Sequence, residues 1–209
     1  MKPSFTLGVL VSGTGTNLQA ILDAIAEGTL EARVGVVVSN VATAKALDRA
    51  KAAKVPAIVV DHRAFDDRAS FDAAIVEVLR SHGADCVVLA GFMRLVTSTL
   101  LDAYPNRIVN VHPALLPSFP GTHAQRQALL YGVGLSGCTV HFVDAGVDTG
   151  PIIAQGPVPV LDDDDEASLS ARILAKEHEL LPKVLQWIAD GRVTIEQPAG
   201  GRPRARVRR

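Results

Sequence analysis

Short runs of branched apolar residues alternate with helical segments along most of the chain, and this alternation limits the possible folds more than any other feature. The strand-like runs are 5–11, 32–39, 57–60, 85–91 and 107–111, and the helical patterns cover 17–27, 43–53, 68–82, 97–103 and 122–131. Continuous Val, Ile and Leu runs separated by helices are typical of parallel strands covered on both faces. We therefore predict an α/β fold with a doubly wound, mainly parallel, Rossmann-like sheet.

The last third of the chain follows a different pattern. Two apolar runs, 135–143 and 151–160, flank a turn rich in Gly and Asp, and they predict a late antiparallel strand pair. A long helix is expected over 165–191, with an acidic start that suits the helix dipole and a bend at Pro182. Because no repeat or linker precedes Gly200, residues 1–200 are predicted to form a single domain, followed by a basic tail, 201–209.

Composition excludes several classes of protein. Hydrophobic residues make up 48% and charged residues 21% of the 209, which is typical of a soluble globular chain. No stretch approaches the roughly 20 apolar residues that a membrane span needs. The first residues faintly resemble a signal peptide, but the apolar run is short and no cleavage site follows it. Cys86 and Cys138 lie in apolar runs, so we expect buried free thiols, a reduced cytoplasmic location and no metal site.

The net charge of −1 conceals an asymmetry. The tail holds five arginines, and without it the chain has 16 basic and 22 acidic residues, a net charge of −6. The main body therefore has no general attraction for polyanions, so any phosphate must be held by local donors. The tail could contact nucleic acid or anionic lipid, but a solvated, frayed terminus is the simpler interpretation.

Ligands of such sheets bind at the carboxyl ends of the strands. The first strand is followed by "SGTGTN" (12–17), in which two glycines permit close backbone approach and Asn17 opens a helix. The loop lacks the spacing of a dinucleotide fingerprint and the lysine of a P-loop, so a tight turn and a monophosphate cradle remain equally supported. The fourth strand is followed by "GFMRLV" (91–96), an apolar lip that carries Arg94.

The fifth strand ends with two polar side chains. Asn110 and His112 are two residues apart, so they share one face of the strand and point towards the expected cleft. Three prolines follow within residues 113–120 and brace the loop. An amide donor beside a titratable imidazole suits acyl-type chemistry, since both groups can donate to an oxyanion and the imidazole can move a proton.

A carboxylate is the expected partner of this imidazole. The turn "DAGVDTGPII" (144–153) offers Asp144 and Asp148, and the residues alone do not choose between them. A carboxylate close to His112 favours the imidazolium, so we expect the pKa of His112 to lie above the free value of about 6.5.

Five segments together resemble a known family. "LVSGTGTNLQAI", "VVLAGFMRLV", "NVHPALLPSFPGTHAQRQAL", "GCTVHFVDAGVDTGPII" and "AKEHELLP" occur in the order and spacing of the folate-dependent formyltransferases. The "SGTGTN" loop narrows the resemblance to the glycinamide ribonucleotide formyltransferases of purine biosynthesis. The resemblance covers about residues 5–192, and it implies that glycinamide ribonucleotide and 10-formyltetrahydrofolate are the substrates.

The resemblance also assigns roles. It implies a catalytic trio of Asn110, His112 and Asp148, so that Asp148 rather than Asp144 is the partner of His112. The remaining roles follow in the same way: Gly15, Thr16, Asn17 and Glu177 for the ribonucleotide, and Arg68, Met93, Arg94, Leu95, Val96 and Asn110 for the folate. Glu177 has independent support, because it falls on the apolar stripe of its helix, where an unpartnered carboxylate is costly.

Three alternatives remain beside formyl transfer to the ribonucleotide. A methionyl-tRNA formyltransferase shares the His-Pro-x-Leu-Leu-Pro loop but normally carries an added C-terminal domain, and only a short segment follows the last helix here. A formyltetrahydrofolate hydrolase normally has an extra N-terminal domain, whereas the first strand here begins near residue 5. A non-catalytic nucleotide-binding module has no need of the trio. We expect a monomer or a homodimer that needs no metal and binds no membrane.

Overall fold

A computed structural model of the chain describes residues 5–208, and the chain divides after Asn110 into two compact units. The first unit contains strands β1 (Phe5–Val11), β2 (Ala32–Ser39), β3 (Ala57–Val59), β4 (Cys86–Leu89) and most of β5 (Ile108–His112). Its helices are α1 (Thr16–Ala26), α2 (Ala46–Ala52), α3 (Arg68–Ser81) and α4 (Ser98–Ala103), with a short 3-10 helix at His62–Ala64.

The strands of the first unit pair in parallel, as the continuous apolar runs predict. β1 lies between β2 and β4, β3 pairs with β2, and β5 pairs with β4. Both faces of β1 are buried because helices cover them, and α1 contributes Leu18 and Ile21 to the core. This arrangement places the loops after β1 and β4 side by side at the carboxyl edge of the sheet.

The second unit is built on an antiparallel pair. It contains α5 (Ala124–Tyr131), β6 (Leu135–Phe142), β7 (Ile152–Pro159), α6 (Glu166–Ala189), β8 (Val193–Glu196) and β9 (Arg204–Val207). β6 pairs with β7 in antiparallel register from Leu135–Pro159 to His141–Ile152. Helix α6 begins with a capping box between Asp165 and Ser168 and continues through Pro182, so the bend expected there stays a prediction.

The strand order of the main sheet is β3-β2-β1-β4-β5-β6-β7. The chain adds β2 and β3 on one side of β1 and then returns to add β4 and β5 on the other side, which is the topology of a doubly wound sheet. The predicted fold class is therefore confirmed, together with the late antiparallel strand and the long helix. The single domain expected over residues 1–200 stays a prediction.

The prediction of a frayed tail is wrong for its described part. Arg204–Val207 forms β9, which pairs with β8 in antiparallel register, and Arg206 Nε lies 3.0 Å from Glu196 Oε2. The backbone carbonyl of Arg208 accepts a hydrogen bond from Arg192 Nε at 2.8 Å. Strand pairing therefore satisfies backbone hydrogen-bonding groups of this segment. Of the tail, only Arg209 lies outside the described residues.

Candidate active site

The loop after β1 enters α1 through a left-handed glycine. Gly15 is buried, adopts φ 72° and caps α1 with no side-chain hydrogen bond. A Cβ on Gly15 would lie 2.5 Å from Ala46 Cβ, so this position requires glycine. Helix α1 begins at Thr16, one residue before Asn17, which corrects the expected helix start.

Helix α2 braces this loop from behind. The backbone N–H of Ala46 donates to the Gly13 carbonyl at 3.1 Å, and Arg49 Nε donates to the Thr14 carbonyl at 2.8 Å. A second Arg49 nitrogen, Nη1, donates to Gln19 Oε1 at 3.1 Å. Helix α2 thus holds the loop through the backbone carbonyls of Gly13 and Thr14.

The segment after β4 presents apolar side chains to solvent. Met93 and Leu95 are 70% and 57% exposed, while Phe92 is buried and stacks on Phe71 with ring centroids 6.5 Å apart. Large exposed apolar side chains beside a buried aromatic pair are typical of a binding surface. Arg68, a further predicted folate residue, is exposed in the first turn of α3.

Strand β5 carries the two polar residues that the sequence singled out. Asn110 pairs with Leu89 of β4 and is half-buried, and His112 is the last residue of the strand and is 4% exposed. Their spacing of two residues places both side chains on one face of the strand, as predicted.

His112 makes a close contact with Asp148. Its Nδ1 lies 3.3 Å from Asp148 Oδ2, and its Nε2–H donates to the Phe119 carbonyl at 2.8 Å. Asp148 also accepts the Gly121 N–H at 2.8 Å. Asp144, by contrast, is exposed and accepts hydrogen bonds from Gly146 N–H and the Thr149 hydroxyl within its own turn. The geometry therefore selects Asp148 as the carboxylate beside His112.

Burial is the largest single influence on the pKa values of His112 and Asp148. Removal from water lowers the pKa of His112 below its ordinary value, although the charge of Asp148 and the Phe119 carbonyl oppose this effect. The expected increase in the pKa of His112 is therefore wrong. Burial alone would raise the pKa of Asp148, but hydrogen bonds from His141 and the Gly121 N–H hold it below its ordinary value.

A second histidine, which the sequence reasoning missed, faces the same carboxylate. His141 Nε2 lies 3.6 Å from Asp148 Oδ1, and His141 Nδ1–H donates to the Phe142 carbonyl at 2.8 Å. His141 is buried within β6, and a histidine in an apolar strand gives no signal that distinguishes a core position from a site. Asp148 is thus held from two sides by imidazole rings.

Glu177 lies on the buried side of α6 and is 6% exposed, which agrees with its place on the apolar stripe. Burial and the nearby charge of Glu177 raise the pKa of the Cys138 thiol to about 12, and burial raises that of Cys86 to about 12 as well. Neither thiol is a ready nucleophile at neutral pH.

Among residues 5–208, no helix has the length and apolarity needed to cross a bilayer. The same part of the chain contains no group of three or more His, Cys, Asp or Glu side chains arranged to hold a metal ion.

Comparison with known proteins identifies the class. The formyl transferase family model matches residues 6–185, and the chain belongs to this family.

Individual proteins of this family are similar to the chain over most of its length. Phosphoribosylglycinamide formyltransferase of Escherichia coli is 41% identical over 191 residues, which cover 90% of this chain and 90% of that protein. The trifunctional purine biosynthetic protein adenosine-3 of Drosophila melanogaster is 45% identical over 191 residues, but these are 14% of its length. The crystal structure of glycinamide ribonucleotide transformylase 1 from Symbiobacterium toebii superposes with a TM-score of 0.95 at 53% identity, covering 99% of this chain and 95% of that chain.

Proposed function

We propose that this chain transfers the formyl group of 10-formyltetrahydrofolate to the amine of N1-(5-phosphoribosyl)glycinamide in de novo purine biosynthesis. The observation that carries the proposal is the 3.3 Å contact between His112 and Asp148, in a chain whose relatives are named for this reaction. A non-catalytic nucleotide-binding module has no use for a buried imidazole–carboxylate pair, so the geometry favours an enzyme.

The reaction balances without a redox partner or a covalent enzyme intermediate. The amine nitrogen attacks the formyl carbon, a new C–N bond forms, and the tetrahedral intermediate carries an oxyanion. Collapse of this intermediate breaks the bond between the formyl carbon and N10 of the folate. The amine loses one proton and N10 gains one, so the enzyme must stabilise the oxyanion and move a proton.

Asn110, His112 and Asp148 supply these two functions in the proposed mechanism. The Asn110 amide donates to the oxyanion, and His112 Nε2–H exchanges the Phe119 carbonyl for the same oxygen. Because burial lowers the pKa of His112, its ring can take up the proton that the amine releases, which reaches Nδ1 by way of Asp148 and ordered water, and the Asp148 charge then stabilises the imidazolium. His112 is thus both a donor to the intermediate and the proton carrier between the two nitrogens.

The substrates are assigned to the predicted loops. The amides of Gly15, Thr16 and Asn17 hold the phosphate, and Glu177 contacts the ribonucleotide. The folate lies against Met93–Val96 and Arg68, with Asn110 at its reacting end. The uncapped start of α1 and the exposed apolar side chains after β4 support these assignments. A cytoplasmic location, a metal-free reaction and a monomer or homodimer stay predictions.

An assay with three formyl acceptors tests the proposal. The purified chain is supplied with 10-formyltetrahydrofolate and with glycinamide ribonucleotide, initiator tRNA or water alone, and tetrahydrofolate release is followed. Release that depends on the ribonucleotide, and is lost in His112→Ala but not in the control His82→Ala, supports the proposal. Release with tRNA would instead identify a methionyl-tRNA formyltransferase, and release with water a hydrolase.

A further inference from the structure

Ser12 lies where the phosphate loop meets the segment after β4. Its hydroxyl oxygen accepts the Met93 N–H at 2.8 Å, and its own backbone N–H donates to the Gly91 carbonyl at 3.1 Å. All of these residues belong to the first unit. The first residue of one predicted substrate loop is therefore hydrogen-bonded to the other predicted substrate segment.

The direction of these hydrogen bonds is fixed by chemistry. A backbone N–H can only donate, so the Ser12 oxygen accepts from Met93 and its single hydroxyl proton goes to Asn40 Oδ1, 2.6 Å away. Asn40 is buried and follows β2, and its Nδ2 lies 3.4 Å from His62 Nδ1. A directed chain from Met93 through Ser12 to Asn40 thus joins three loops at the edge of the sheet.

The segment after β4 is anchored at its other end by a buried carboxylate. Asp72 Oδ2 accepts both the Thr97 N–H at 2.6 Å and the Thr97 hydroxyl at 2.7 Å. Between the two anchors, the segment has no regular secondary structure, and Met93 and Leu95 extend into solvent. Ser12 at one end and Asp72 at the other therefore set where these side chains lie.

We infer that Ser12 is a positioning residue that couples the two substrate sites, so that the bound phosphate tightens folate binding through the Ser12 hydroxyl. The inference rests on the proposed function, which assigns the two segments to the two substrates. A phosphate held by the amides of residues 15–17 fixes the loop that begins at Ser12, and the 2.8 Å contact passes this position to Met93. The net contribution of one such hydrogen bond corresponds to a change of about fivefold in affinity.

The test is the affinity for tetrahydrofolate with and without saturating glycinamide ribonucleotide, measured by calorimetry. In the wild-type chain the ribonucleotide should tighten tetrahydrofolate binding by about fivefold. Ser12→Ala should bring the ratio of the tetrahydrofolate dissociation constants, without and with the ribonucleotide, close to one. It should also raise the folate KM with little change in kcat. Ser12→Thr, which retains a hydroxyl, should restore the ratio. The Met93 amide should exchange its hydrogen faster in Ser12→Ala than in the wild type or in Ser12→Thr.

Ser81→Ala is the matched control, since it removes the same atom from an exposed serine at the end of α3, whose hydroxyl bonds to the Val78 carbonyl and contacts the neighbouring His82 ring. It should leave the ratio and Met93 exchange unchanged. A wild-type ratio of one, or a ratio that survives Ser12→Ala, overturns the inference while both ligands still bind. A wild-type chain that binds neither ligand overturns the proposed function, and the inference with it.

Discussion

Replacement of Asp148 by asparagine isolates the charge of the candidate site. The asparagine oxygen can still accept the Gly121 N–H, which lies 2.8 Å from Asp148 Oδ2. Its NH₂ group takes the place of Oδ1, which lies 3.6 Å from His141 Nε2. The variant therefore keeps the shape of the turn and the hydrogen bond from Gly121, and it loses the negative charge beside His112.

The expected loss of kcat in Asp148→Asn follows from the role of His112 in the proposed proton transfer. Burial already lowers the pKa of His112, and the Asp148 charge is the leading influence that raises it. Without that charge the imidazolium formed during proton transfer is less stable, while Nε2–H remains available as a donor. We expect kcat to fall by about 10²-fold, the lower end of the range for general acid–base catalysis, which corresponds to about 2.7 kcal/mol.

The assay is kcat as a function of pH, with unfolding measured on the same samples. The pKa of His112 should move further down in Asp148→Asn, so the step that reports it moves to lower pH. His112→Ala should be comparably damaging, and the double variant far less than additive, because the two residues act together.

Asp144→Asn is the internal control and should have a small effect, because Asp144 bonds only within its turn. The reasoning is refuted if folded Asp148→Asn keeps kcat within about threefold of wild type, against the 10²-fold loss expected. It is equally refuted if Asp144→Asn is the more damaging change.

Three further predictions concern the loop, the tail and pH. Gly15→Ala should raise the ribonucleotide KM by about tenfold and the folate KM by less, because left-handed strain of about 1–2 kcal/mol and contact with Ala46 displace the loop. Steady-state kinetics measures the two KM values. Deletion of residues 202–209 removes β9 and should lower the melting temperature while leaving kcat unchanged, and a large loss of kcat in a folded truncation would contradict this. Because the folded-state pKa of His112 is lowered, stability should fall as pH decreases below about 6.5, and the lowered pKa of Asp148 adds a further loss below about 3.8. Urea unfolding across pH should show both steps, and His112→Gln should lack the upper one.

The parallel sheet was predictable because buried parallel strands leave continuous Val and Ile runs that no other common element imitates. The turn from β1 into α1 was predictable in outline, since glycines directly before a helical pattern mark a tight strand-to-helix turn, while its binding of phosphate stays a prediction. The tail was predictable in principle: Arg204 and Arg206 are exposed while Ala205 and Val207 are half-buried, and this period of two is a strand pattern. The high arginine content of the tail made this strand pattern hard to recognise.

The choice between Asp144 and Asp148 could not be made from the residues alone. Both aspartates lie in one short turn, and what separates them is the backbone path, in which Asp148 adopts φ 54°. A left-handed residue turns its side chain away from the direction that an extended chain would give, and nothing local in the sequence specifies it. Only the tertiary position of the turn brings this carboxylate to His112.

The same limit explains the wrong expectation for the pKa of His112. A sequence can identify a carboxylate partner, but the cost of moving an imidazolium out of water depends on how completely the site is enclosed. With His112 only 4% exposed, that cost exceeds the attraction of Asp148 and holds the pKa of His112 below its ordinary value. In the proposed mechanism, this lowered pKa leaves the ring able to take up a proton when the amine releases one, whereas a permanently charged ring could not.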